Sequence, residues 1–275
     1  MNLPYNKTIF FSLILLTFLL PLFFIPASTS SFDYHKGLLI TVLVAISLFI
    51  WIVYSFFKGA LIIPRSLLLA VGGFIVATFF VSSFFSEVPL HSLFETGFEI
   101  GTASFLLTLF ILFFLASVIF QTRSRIFSLY GALFLSSLLV AFIQLSHLLE
   151  GFSFFSLGIL PNSFSNLIGS PTDFTYFFGS ILLLSLMTIE FLPVKRFMVL
   201  YILLVVSLFF FLFGARGFPL YMVSIFILFF AVYKIQVSRK VFSVSLFVFV
   251  GIMLFAVAGE PVKNVVASVF PAPFL

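Results

Sequence analysis

The chain has 275 residues, 63% of them hydrophobic and only 8% charged, with a mean hydropathy of +1.36. A soluble domain carries about 25% charged residues, because water must be met by something polar; a water-soluble globule is therefore excluded. Phenylalanine supplies 47 residues, which suits lipid-facing helices, and the absence of cysteine excludes disulfide frameworks, thiolate metal sites and cysteine nucleophiles. Three histidines and eight carboxylates leave little for a metal cluster, so neither metal nor cofactor is expected. The composition predicts an all-α polytopic membrane protein in which the formal charge of +5 is a matter of orientation, with no nucleic acid as partner.

About 20 apolar residues are needed for a helix to cross roughly 30 Å of hydrocarbon. In chain order the uncharged apolar runs are 8–25, 38–57, 67–85, 102–120, 126–149, 174–192, 197–213, 218–233 and 241–258, which predicts about nine transmembrane helices. The seventh and eighth are short and separated only by Gly214-Ala215-Arg216-Gly217, so they also fit two halves of a tight hairpin. Basic residues are retained on the cytoplasmic side. With the N-terminus inside, Lys7, Lys58, Arg65, Arg123, Arg125, Lys195, Arg196, Lys234, Arg239 and Lys240 all fall inside, and only Lys36, Arg216 and Lys263 fall outside. The acids sort oppositely, with Glu190 alone inside. A missed or invented helix would scramble this alternation, so the expectation is a cytoplasmic N-terminus and an extracytoplasmic C-terminus. The first run also has the basic flank and small-residue site (Ala27-Ser28-Thr29-Ser30) of a signal peptide, but it is long for one, and a retained helix is expected.

Inner loops are short and basic. The outer segments 86–101 and 150–173 are half apolar, a composition that places them at the interface, either lining a groove for a lipid-linked substrate or resting on headgroups. No repeat, heptad run or flexible linker interrupts the chain, so residues 1–275 read as one transmembrane helical domain. About 17 residues, Gly259 to Leu275, are expected outside after the ninth helix, like an extracytoplasmic loop that has just begun.

Charges near a membrane are costly, so each invites a functional reading. The inner Lys and Arg residues read as topology anchors. His147 and Glu150 sit at helical spacing at an outer helix end, as an interfacial pair or a dyad. Glu87 and His91 flank Pro89, either as an exposed loop pair or as partners of a substrate hydroxyl. Glu95 and Glu99 precede the fourth helix, where carboxylates favour the positive end of the macrodipole. Ser170-Pro171-Thr172-Asp173 has the residues of a helix start, and its polar groups, with Thr175 and Tyr176, also suit substrate contact at an outer helix mouth. Arg216 stands apart, a positive charge placed outside against the retention rule and flanked by Gly214 and Gly217. A guanidinium binds phosphate bidentately and stays charged at any relevant pH; it can equally snorkel to outer headgroups.

Three segments resemble the O-antigen ligase/polymerase family of bacterial envelope enzymes. Val81-Ser82-Ser83-Phe84-Phe85-Ser86-Glu87-Val88-Pro89-Leu90-His91-Ser92-Leu93-Phe94 is similar to the family's helix ending in Ser-x-x-Phe-Ser-x-x-Pro. Gly169-Ser170-Pro171-Thr172-Asp173-Phe174-Thr175 stands where relatives have a Gly-Asn-Pro-Asn-like helix entry. Phe213-Gly214-Ala215-Arg216-Gly217 resembles the family's Ser-Arg-Gly, with Ala215 in place of the serine. The resemblance implies a multi-pass enzyme of the bacterial cytoplasmic (inner) membrane, a glycosyltransferase of cell-envelope or lipopolysaccharide biosynthesis. It would move glycan from a polyprenyl-diphosphate carrier, such as undecaprenyl diphosphate, to a lipid or glycan acceptor outside the membrane. Arg216 would hold the diphosphate, with Glu87, His91, Thr172 and Asp173 on the substrate. Family members continue into a large extracytoplasmic loop bearing a second arginine and a histidine, so the resemblance implies an N-terminal part of a longer enzyme, or a shortened paralogue that no longer catalyses. Two other classes fit the composition. A transporter or flippase needs ionisable groups near mid-bilayer, which the runs lack, and a scaffold needs no chemistry at all.

Overall fold

The structure, a computed structural model, describes residues 4–25, 32–59, 64, 66–94, 101–148, 166–189, 197–214, 218–236 and 238–269. Among them the elements in chain order are α1 (Pro4–Leu19), α2 (Phe32–Lys58), α3 (Leu67–Phe84), α4 (Pro89–Phe94), α5 (Ala103–Ile119), α6 (Arg123–Leu148), α7 (Pro171–Ile189), α8 (Phe197–Gly214), α9 (Phe218–Lys234) and α10 (Arg239–Val269). Every apolar run of the sequence carries a helix. α2, α3, α6 and α7 are long and apolar enough to cross a membrane, and α1, α5, α8, α9 and α10 hold shorter apolar helical stretches. The protein is thus all-helical across its described residues, with the composition of a membrane-embedded chain.

Four differences from the sequence reading exceed one helical turn. α1 stops at Leu19 rather than 25, because Pro21 has no N–H to continue the ladder and its ring crowds the preceding turn. α2 begins at Phe32, so Asp33, Tyr34, His35 and Lys36 form its opening turns instead of a loop. The segment 86–101 contains a short helix, α4, started by Pro89 at a position that fits its fixed φ. α10 runs on to Val269 through Pro261, so 259–269 is helical rather than the start of an open loop.

The chain forms two compact units, Met1–Ser136 and Ser137–Leu275, whose boundary falls inside α6. In the first, α1, α2 and α5 bury Ile9, Leu13, Leu16, Ile40, Val44, Phe105, Leu115 and Ile119 against one another. Trp51 of α2 meets Phe114 of α5 edge to face, with ring centroids 5.0 Å apart. Two hydrogen bonds cross between helices there. The hydroxyls of Ser12 and Ser47 lie 2.9 Å apart, and Ser136 Oγ donates to the Phe18 carbonyl at 2.7 Å. α3 packs on α5 through Gly72 and Gly73, which lie against the Phe110 ring.

In the second unit α7 is the central element, packed against α8, α9 and α10. It buries Phe174, Thr175, Phe178, Gly179, Ile181, Leu182, Ser185, Leu186, Thr188 and Ile189. Phe178 stacks on Phe210 of α8 at 5.0 Å, and Phe174 meets the same ring at 5.8 Å. A Cβ on Gly179 would stand 2.9 Å from Val223 of α9 and 3.3 Å from Phe211 of α8, so glycine is what lets three helices approach.

Polarity is inverted relative to a soluble fold. Ser185, Ser207, Ser224 and Ser245 are wholly buried, while Phe56, Phe57, Phe74, Phe85 and Phe247 are largely exposed. Without water the backbone must be satisfied within helices, and a hydroxyl finds its cheapest acceptor on its own helix. Ser185 donates to the Ile181 carbonyl at 2.7 Å, Ser207 to Leu204 at 3.0 Å and Ser224 to Leu220 at 2.6 Å. Ser245 Oγ is the exception among the described residues, buried with no hydrogen-bond partner.

Candidate functional site

The entry to α7 is built from five polar groups. Asn166, almost fully buried, accepts through Oδ1 from the backbone N–H of Ile168 and of Gly169, both at 3.0 Å, which folds the chain back on itself. Gly169 then takes φ +136°, a conformation that a Cβ would strain. Ser170 follows as the helix cap, with Pro171 at the first helical position. Ser170 Oγ accepts from the Asp173 N–H at 3.1 Å, and Asp173 Oδ2 accepts from the Ser170 N–H at 3.2 Å and from the Ser170 hydroxyl. This is a reciprocal capping box. Thr175, fully buried, donates to the Pro171 carbonyl at 2.9 Å. Ser170, Thr172 and Asp173 are exposed, and Asp173 Oδ1 carries no described bond.

The packing of α7 fixes what shares that end. Phe174, three residues into α7, rests on Phe210, four residues before the end of α8. Gly179 faces Val223, five residues into α9. α7 and α8 are therefore antiparallel, and the start of α7, the end of α8 and the start of α9 lie level to within about one helical turn. Only residues 215–217 separate Gly214 of α8 from Phe218 of α9. Arg216 falls in that separation, outside the described residues. The positive ends of the α7 and α9 dipoles point out of the unit here, the polarity that favours an anion.

Glu87 and His91 belong to the first unit and are described by themselves. The chain leaves α3 through Phe85, whose N–H bonds the Ser82 carbonyl at 3.1 Å. Ser86 Oγ accepts from the Val88 N–H at 3.2 Å and lies 2.6 Å from Ser92 Oγ, which ties the turn to α4. Glu87 and His91 are both exposed on this tip, while Leu93 is buried beneath it. Phe85 and Leu90 stand out beside them.

The structure thus brings Thr172 and Asp173 to the same end of the second unit as the helix termini that flank Arg216, and it places Glu87 with His91 on the α3–α4 tip of the first unit. Glu95, Glu99, Glu150 and the His147 side chain lie outside the described residues. The sequence reading missed two groups that hold these segments in shape, Asn166 and the Ser86–Ser92 pair. For Asn166 a signal exists, an Asn three residues ahead of Gly and four ahead of a Ser-Pro helix start. Ser86 and Ser92 both stand in the Val81–Phe94 segment, but six residues apart is no helical or turn spacing, so nothing in the sequence pairs them. Among the described residues no three His, Asp or Glu side chains gather as a metal site would require. No family model, curated protein or solved structure matches the chain.

Proposed function

We propose that this chain is the membrane part of a bacterial envelope glycan transferase of the O-antigen ligase/polymerase type, spanning the inner membrane nine times with its N-terminus in the cytoplasm. The observation that carries the reading is the convergence, at one end of the second unit, of the α7 capping box with the two helix ends that flank Arg216. In this reading Arg216 grips the diphosphate of a polyprenyl-linked glycan. An acceptor hydroxyl attacks the anomeric carbon, the anomeric C–O bond breaks with its electron pair leaving on the lipid diphosphate, and the hydroxyl proton passes to solvent or to that departing diphosphate. Charge grows on the diphosphate as it leaves, and a guanidinium that binds it bidentately stabilises that growth. Thr172 and the outward oxygen of Asp173 offer hydrogen bonds to sugar hydroxyls. Asp173 is held in position by its own cap. Glu87 and His91 form a second pair with the same hydroxyl-binding chemistry.

The test is in vitro transfer from a polyprenyl-diphosphate glycan to its acceptor by the full protein. Arg216→Lys keeps the charge and loses the fork, and a loss of about 10²-fold or more is expected for removal of a donor to developing charge. Transfer unaffected by Arg216→Lys would sink the assignment. Substrate flux through proteoliposomes in the absence of transfer would replace it with a transport role.

A further inference from the structure

At the end of the first unit opposite the α3–α4 tip, the basic residues gather. Lys7 lies in the first turn of α1, Lys58 is the last residue of α2, and Arg123 and Arg125 open α6. The packed pairs around them set their levels to within about two helical turns of one another. Phe10 meets Phe120 at 5.8 Å, just past the end of α5, and Ser12 meets Ser47 on the antiparallel α2. Arg125, half-buried, is held in place on both sides. Its Nη1 donates to the Ile119 carbonyl at 2.8 Å, and its guanidinium lies over the Phe10 ring, 5.7 Å from the centroid. Lys58 similarly stands over Tyr54 at 5.3 Å. Lys7, Lys58 and Arg123 are exposed.

Among the described residues no carboxylate stands beside this cluster. No carboxylate occurs before Asp33, between Asp33 and Glu87, or between Glu99 and Glu150. α6 opens with two arginines and no acid in its first turn, so the positive end of its dipole adds to the cluster instead of being offset. Four like charges at one end repel one another unless an anion joins them. What lies beside the cations says what kind of anion fits. Lys7, Phe11 and Leu15 follow at four-residue spacing on one face of α1, and Phe11 and Leu15 are exposed. Phe56 and Phe57 are exposed beside Lys58. A cation at the rim with bare apolar surface one and two turns deeper matches a headgroup with acyl chains below it, not a soluble polyanion.

We propose that Lys7, Lys58, Arg123 and Arg125 bind the phosphodiester headgroup of an anionic phospholipid whose acyl chains lie along the exposed face of α1. This site is independent of the glycan-transfer reading. It is tested by purifying the full protein with equimolar phosphatidylglycerol and phosphatidylcholine and measuring the lipid it retains by native mass spectrometry. Phosphatidylglycerol is expected to dominate. Arg123→Gln and Arg125→Gln should each lower the ratio about fivefold, the effect of roughly one cation near an anionic surface. Lys7→Gln, at an exposed side chain, should lower it similarly without touching the core, which separates binding from misfolding. Lys234→Gln with Arg239→Gln, on the second unit, should leave the ratio unchanged. Equal retention of the two lipids, or a ratio indifferent to all three single substitutions, overturns the proposal. Displacement by millimolar glycerol phosphate would overturn the lipid and leave a site for soluble phosphates.

Discussion

α3 and α7 are helices of nearly equal length, 18 and 19 residues, and they live in different worlds. α3 is the more apolar, with only Thr78, Ser82 and Ser83 as polar residues, yet 17% of its span is buried; α7 carries Thr172, Asp173, Thr175, Ser180, Ser185 and Thr188, and 56% of its span is buried. In water the order would be reversed. Lipid tails are as apolar as leucine, so an apolar side chain gains nothing by leaving them, and helices associate through close packing and hydroxyls. The difference teaches that in this chain the less greasy helix is the core.

The largest test of that contrast is aromatic truncation. Phe178→Ala, at a ring that stacks on Phe210, should lower stability by about 3 kcal/mol, whereas Phe74→Ala on the bare face of α3 should change it by less than about 0.5 kcal/mol. Equilibrium unfolding in mixed micelles measures both, and equal effects would break the comparison. Next comes Gly179→Val, whose added atoms meet Val223 and Phe211; about 1–3 kcal/mol of overpacking strain is expected. Among the described residues nothing outside its own helical turn lies within 4 Å of where a Cβ on Gly131 of α6 would stand, so Gly131→Val reports the helix-propensity change without the clash. Ser170→Ala removes one side of the α7 cap and should cost about 1 kcal/mol, read as faster amide exchange in the first turn of α7. The smallest expected effect belongs to Ser136→Ala, which deletes the bond to the Phe18 carbonyl and should cost about 0.6 kcal/mol, typical of an interhelical hydrogen bond in a membrane.

The helices were legible in the sequence because charges and turn residues punctuate runs that have nothing else to be. Their ends were less so. Pro21 stops α1 while Pro261 is carried inside α10, and a proline's local chemistry does not distinguish the two cases. The buried face of each helix was illegible for a deeper reason. In α3 and α8 apolar residues surround the whole circumference, so no side is marked for the core. What marks it is the minority, such as Thr175, Gly179 and Ser185 on α7. The α7 cap could be read from Ser-Pro-x-Asp, since each residue fills a known backbone need. That this cap sits level with the ends of α8 and α9 required the contacts of Phe174 with Phe210 and of Gly179 with Val223, pairs more than 30 residues apart.

The way hydroxyls are satisfied has a consequence for motion. In the first unit Ser12 with Ser47, and Ser136 with the Phe18 carbonyl, tie one helix to the next, so sliding α1 along its neighbours breaks hydrogen bonds in a medium that offers no replacement. In the second unit Ser185, Ser207 and Ser224 each spend their proton on their own helix. Shear of α7 against α8 or α9 leaves those three bonds whole and is resisted by the fit of side chains such as Val223 against Gly179. The first unit thus holds α1 by directional bonds between helices, and the second holds α7 through close packing.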